Sequence, residues 1–163
     1  MKRTILASIF FIITFVTGSA FAIDGKIYPG SMGIRWNSSD PVPHLSASAV
    51  FNSSSTKSLR LDLPVIHDSI HHSISSGWVR VIDRHYNQNV RVSMNSVYRN
   101  GCSFWGWWGA SKYSSGTNCS AQALSFPGLG SNSHAHYYYS VTIPPTYSGN
   151  KSGIVSYYVA EKD

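Results

Sequence analysis

Between Leu59 and Leu63 the chain alternates strictly: three leucines, Leu59, Leu61 and Leu63, are separated by Arg60 and Asp62. Successive side chains of a strand point to opposite faces, so this spacing gathers the leucines on one side and the charges on the other. Residues 90–95 repeat the pattern, with Val90, Val92 and Met94 set against Arg91, Ser93 and Asn95. A chain built from such half-apolar strands must lay one sheet face against another, which points to antiparallel layers.

Four more runs fit extended structure: LSASAVF (45–51), GWVRVID (77–83), HAHYYYSVTI (134–143) and GIVSYYVAE (153–161). Turn-forming clusters separate them, among them NQN at 87, RNG at 99, SSGTN at 114 and PGLGSNS at 127. Two strands flanking a tryptophan-rich stretch bring the expected count to about seven or eight. The expected fold is all-β: an antiparallel β-sandwich, immunoglobulin-like or jelly-roll-like, with one disulfide. Residues 64–76 are ambiguous by period, since Ile66, Ile70 and Ile74 recur every fourth residue. Their β-branched side chains favour an extended or irregular segment over a helix.

The first residues, MKRTILASIFFIITFVTGSAFA, have a basic start at Lys2 and Arg3, an apolar run from Ile5 to Val16 and a small-x-small ending at Ala20-Phe21-Ala22. This is the pattern of a cleaved signal peptide over 1–22, and the apolar run is shorter than the roughly 20 residues a spanning helix needs. The expected location is secreted or periplasmic, with no membrane span after cleavage. Residues 23–43, rich in Gly, Pro and Ser, are expected to be partly loose, and 44–163 to form a single domain. Without Lys2 and Arg3 the formal charge of +6 becomes +4, and the remaining basic residues are scattered. That excludes a nucleic-acid footprint.

The series LDLPVIHDS, GWVRVIDRHYNQNVRVSMNSVY, WGWWGAS and HYYYSVTIPPTYSGNKSGIVSYYVAE, covering roughly residues 58–161, resembles a group of small secreted bacterial proteins of the hypothetical exported β-sandwich kind. The resemblance implies a location and a fold type, and it brings no activity with it. Members of that group tend to carry cysteine where this chain has Leu63, Val92 and Val141, so apolar packing is expected to replace a disulfide there.

In GCSFWGWWGASKY, residues 101–113, three of the five tryptophans fall within four positions. Cys102 lies at the start of this stretch and Cys119 beyond its end, and in an oxidising compartment they are expected to pair as a structural staple. Alternation puts Phe104 and Trp108 on one face and Trp105 and Trp107 on the other. The first pair is expected in the core, and at least one of the second is expected to be exposed. Indole and phenol faces stack on sugar rings, so Trp105, Trp107, Tyr113 and Tyr138 are the expected ligand-binding residues; a purely structural aromatic core is the competing reading. On the strand at 134–143, Tyr137 and Tyr139 fall in with Val141 and Ile143 as core, and Tyr138 falls on the outer face with His134, His136 and Thr142.

Seven histidines make a transition-metal site conceivable, with His134, His136, His67 and His71 as ligands, although most such histidines are surface or structural residues. No catalytic motif is present: there is no GxSxG, P-loop, dinucleotide-binding glycine pattern or HExxH. Asp83-Arg84-His85 offers an acid and a base, but an Asp-Arg surface pair is the simpler explanation. The leading expectation is a secreted, non-catalytic protein that binds a glycan or cell-surface ligand. A homo-oligomeric structural or adhesive protein is second, and a metal-binding protein third.

Overall fold

The computed structural model describes residues 23–66, 68, 73–100, 103–129 and 135–162. Among them run eleven strands: β1 (Ile23–Pro29), β2 (Ile34–Arg35), β3 (His44–Ser46), β4 (Ala49–Phe51), β5 (Leu59–Pro64), β6 (Ser73–Asp83), β7 (Arg91–Asn100), β8 (Ser103–Tyr113), β9 (Asn118–Leu129), β10 (Ala135–Ile143) and β11 (Gly153–Lys162). Sheet A has the order β3-β4-β11-β6-β9, with β1 also on β11; sheet B has the order β2-β5-β10-β7-β8. Every pairing between them is antiparallel.

The alternation delivers the core as expected. Leu59, Leu61 and Leu63 from β5, Val92 and Met94 from β7, and Tyr137, Tyr139, Val141 and Ile143 from β10 are buried. They meet Val79, Val81, Phe126, Ile154, Tyr157 and Val159 of sheet A in one apolar cluster. Three core tyrosines bring their hydroxyls to backbone carbonyls rather than leaving them unpaired. Tyr139 donates to Tyr158 O at 2.8 Å, Tyr157 to Pro64 O at 2.7 Å and Tyr28 to Ile66 O at 3.1 Å. The Tyr28 and Tyr157 rings stack at 4.9 Å between β1 and β11, and their hydroxyl bonds to Ile66 O and Pro64 O tie the end of β5 to sheet A. Burial pushes the Tyr139 and Tyr157 phenols well above the usual tyrosine range, with the neighbouring phenols Tyr157 and Tyr28 respectively adding to it.

The strand count exceeds the expected seven or eight for two reasons. The run 45–51 is split into the β3–β4 hairpin, where Ala47 turns at φ 51°. The segment 23–43, expected to be loose, supplies β1 and β2. Seven residues of β1 pair in register with β11, from Ile23 opposite Lys162 to Pro29 opposite Ser156. Composition missed this because backbone pairing needs no particular side chain. Lys26 anchors β1 further, at 2.8 Å from both Glu161 Oε1 and Asp68 Oδ2. Burial works against the ammonium, but hydrogen bonds to the two carboxylates outweigh it and hold its pKa above the usual lysine range.

Asp83 is not the surface partner of Arg84 that the sequence suggested; it is fully buried where β6 ends. Its Oδ1 accepts from His85 N at 3.0 Å and Ser152 Oγ at 3.1 Å, and its Oδ2 accepts from Val90 N at 3.3 Å and from the Ser114 hydroxyl. One carboxylate thus fastens the starts of β7 and β11 and the end of β8 to β6. His85 Nδ1 in turn accepts from Asn87 N and Gln88 N at 3.1 and 3.0 Å, so the pair caps a corner and is not an acid-base couple.

The expected Cys102–Cys119 bond is not found. Cys119 carries a free, exposed thiol near the start of β9, and Cys102 lies outside the described residues. Among the described residues, Ser103 opens β8 and Tyr113 closes it ten residues along, on the side where β9 begins, so Cys119 sits by the end of β8 that lies away from Ser103.

Candidate ligand-binding face

Outward residues of sheet B fall into rows that cross the strands. One row is Arg60, Thr142, Arg91, Tyr113; the next is Asp62, Ser140, Ser93, Ser111; the third is Pro64, Tyr138, Asn95, Trp108. The middle row carries small side chains between two rows of large ones. The result is a trough of about 360 Å³ across the sheet, with Trp36 at the β2 edge and Trp108 at the β8 edge. That volume lies within the range of ligand clefts, about 300–1,000 Å³.

A register shift sets the phase of β8. Asn95 pairs with Trp108 and Ser93 with Ser111, so Met94 faces two residues, Gly109 and Ala110. This β-bulge needs glycine: a Cβ on Gly109 would run into the Met94 carbonyl. Met94 is fixed inward by the core, so Asn95 points outward and its partner Trp108 does too. The indole is 70% exposed, which overturns its expected core position. The side chains of Phe104, Trp105 and Trp107 lie outside the described residues.

The floor is hydrogen-bonded yet incomplete. Arg91 donates to Ser111 Oγ from Nε at 3.1 Å and Nη2 at 3.0 Å, and the Ser111 and Ser93 hydroxyls are 2.7 Å apart. Asn95 Nδ2 donates to Ser140 Oγ at 2.9 Å, while Asn95 Oδ1 is buried with no hydrogen-bond partner among the described residues. An orphaned buried acceptor costs free energy, and an incoming donor would remove that cost. Burial also raises the Asp62 carboxyl above the usual range, and burial followed by the Asp62 charge raises the Tyr138 phenol. At the far edge Arg60 packs over the Trp36 ring at 4.2 Å and is held by Asp40 Oδ1 at 3.0 Å, which braces the indole.

Of the residues expected to bind ligand, Tyr138 lines the trough, half-buried. Tyr113 is 56% exposed opposite Arg91, at the end of the same face and outside the trough lining. His136 is exposed on β10, while His67, His71 and His134 lie outside the described residues; among the described residues no three metal-binding side chains converge. Sequence reasoning missed Trp36, Trp108, Asp62 and Asn95. The alternation 91–95 already placed Asn95 outward, but nothing local marked it as the floor of a trough.

In comparison with known proteins, no family model matches the chain, and no curated protein matches it significantly.

Proposed function

We propose that this is a secreted, non-catalytic β-sandwich protein whose sheet B face binds a carbohydrate of the cell surface. The observation that carries the reading is the unpartnered Asn95 Oδ1 at the floor of a trough walled by Tyr138 and Trp108. A sugar hydroxyl both donates and accepts. The floor offers acceptors at Asn95 Oδ1 and Asp62 and hydroxyls at Ser93 and Ser140, and the aromatic side chains offer faces for the C–H side of a pyranose. Trp36 and Trp108 sit on opposite edges of a five-stranded sheet. Four strand spacings put them about 19 Å apart, so the trough suits an oligosaccharide better than a single ring. This reading moves the binding surface from the tryptophan loop to the sheet, keeping Tyr138 and replacing Trp105 and Trp107 with Trp108 and Trp36.

A glycan array followed by calorimetry on the best ligand tests the reading. Saturable binding that Trp108→Ala and Trp36→Ala both weaken supports it. No binding to any surface glycan, or binding that both variants leave intact, overturns it. Export itself is tested by sequencing the amino terminus of the protein recovered from the medium or periplasm, with Ile23 expected first.

A second reading, a homo-oligomeric structural protein, is favoured by the two long sheet edges, β8 with eleven residues and β9 with twelve. Each has a row of backbone groups on one side without a strand neighbour. A concentration-independent monomer in light scattering removes it.

A further inference from the structure

On the opposite face of the molecule, outside sheet A, the row His44, Phe51, Gly153, Ile82 leads to an open cavity of about 250 Å³. Its lining includes three basic side chains, His44, Arg84 and Lys151, and no acidic one. Arg84 and Lys151 are half-buried, and neither has an ion-pair partner among the described residues. The nearest acid in sequence, Asp83, is turned into the core and saturated by Ser114, Ser152, Val90 N and His85 N, so it does not neutralise Arg84. Arg84 Nε is buried with no hydrogen-bond partner among the described residues.

Two half-buried like charges thus line one cavity with the apolar walls of Phe51 and Ile82, and a counter-charge entering it would pair with both. A guanidinium presents its N–H groups as a fork suited to planar or tetrahedral oxyanions, and an ammonium adds a compact charge beside it. The geometry points to a binding site for a phosphate- or sulfate-type oxyanion, held by Arg84 and Lys151 with His44 as a further donor. The basic lining recognises the anionic group itself, so the anion comes either as a free or small-solute oxyanion or as the headgroup of an anionic lipid. The site is separate from the sheet B trough and stands whether or not the trough binds sugar.

The test is a backbone amide NMR titration of the full folded protein with inorganic phosphate, matched against sodium chloride at equal ionic strength. Saturable shifts confined to the surroundings of His44, Arg84 and Lys151 are expected. Arg84→Gln and Lys151→Gln should each weaken phosphate binding about tenfold or more while leaving the melting midpoint near that of the parent. Phosphatidylglycerol vesicles separate the two sources: binding that phosphate competes away assigns a headgroup, and phosphate binding without vesicle binding assigns a free or small-solute oxyanion. Shifts that merely track ionic strength, or equal affinity in both variants, overturn the proposal.

Discussion

Asn95 and Trp108 stand directly opposite each other across β7 and β8, and the bulge beside them is what brings the indole out over the amide. Asn95 has its orphaned oxygen in the same trough that Trp108 lines. The two residues therefore define one end of the trough together.

Trp108→Ala and Trp36→Ala should each weaken glycan binding by roughly 1–2 kcal/mol, about tenfold, measured by calorimetry. Trp108 is an exposed ring, so its removal should change the chemical-denaturation midpoint little.

Asp62→Asn should separate stability from binding. Burial raises the folded-state pKa of Asp62 above its unfolded value, so the folded chain holds that proton more tightly. The stability contributed by this proton is full below the unfolded carboxylate range and is lost as pH rises through the folded pKa. The variant should therefore melt higher than the parent at neutral pH and flatten the pH dependence of melting on the acid side. Its glycan affinity should fall, because a charged acceptor has gone from the floor.

Asp83→Ala should cost about 3 kcal/mol or more in urea denaturation. The change strips four donors of one buried acceptor, two of them hydroxyls and two of them amides. The effect should be larger than for Asp40→Ala, whose carboxylate serves fewer elements: it accepts from Asn37 N and from the guanidinium of Arg60, a side chain that is 39% exposed.

Gly77→Ala should destabilise by about 2 kcal/mol or more, because a Cβ there would collide with the Tyr139 hydroxyl. In a Tyr139→Phe background the cost of the alanine should shrink, and a double-mutant cycle in denaturant reads that coupling directly.

Cys119 should be alkylated in the native protein without reductant or denaturant, and peptide mapping by mass should show it outside any disulfide to Cys102. A mapped Cys102–Cys119 peptide would overturn this expectation.

The core was legible in the sequence because burial is periodic. Leu59, Leu61, Leu63, Val92, Met94, Tyr139 and Val141 all fell on the predicted side. Trp108 did not, because its phase depends on one extra residue in β8 opposite Met94, and a single-residue insertion leaves no mark in composition. The trough was illegible for a related reason. Asp62, Ser140 and Ser93 are far apart in sequence and become neighbours only through the pairing of β5, β10 and β7. Trp36 gave no periodic signal, since β2 is only two residues long. Tyr138 was found because its neighbours Tyr137 and Tyr139 fixed the alternation around it.

The placement of β11 bears on how the molecule is made. This strand lies between β6 on one side and β4 and β1 on the other. The segments that flank it leave the ribosome first, and none of them can pair across the gap before Gly153–Lys162 is synthesised. Sheet A is thus completed only once β11 has been made, through contacts of long sequence separation, which makes its folding slow and leaves β1, β4 and β6 unjoined in the nascent chain until then. A truncation just before Gly153 would accordingly remove the axis of a whole sheet rather than trim its edge.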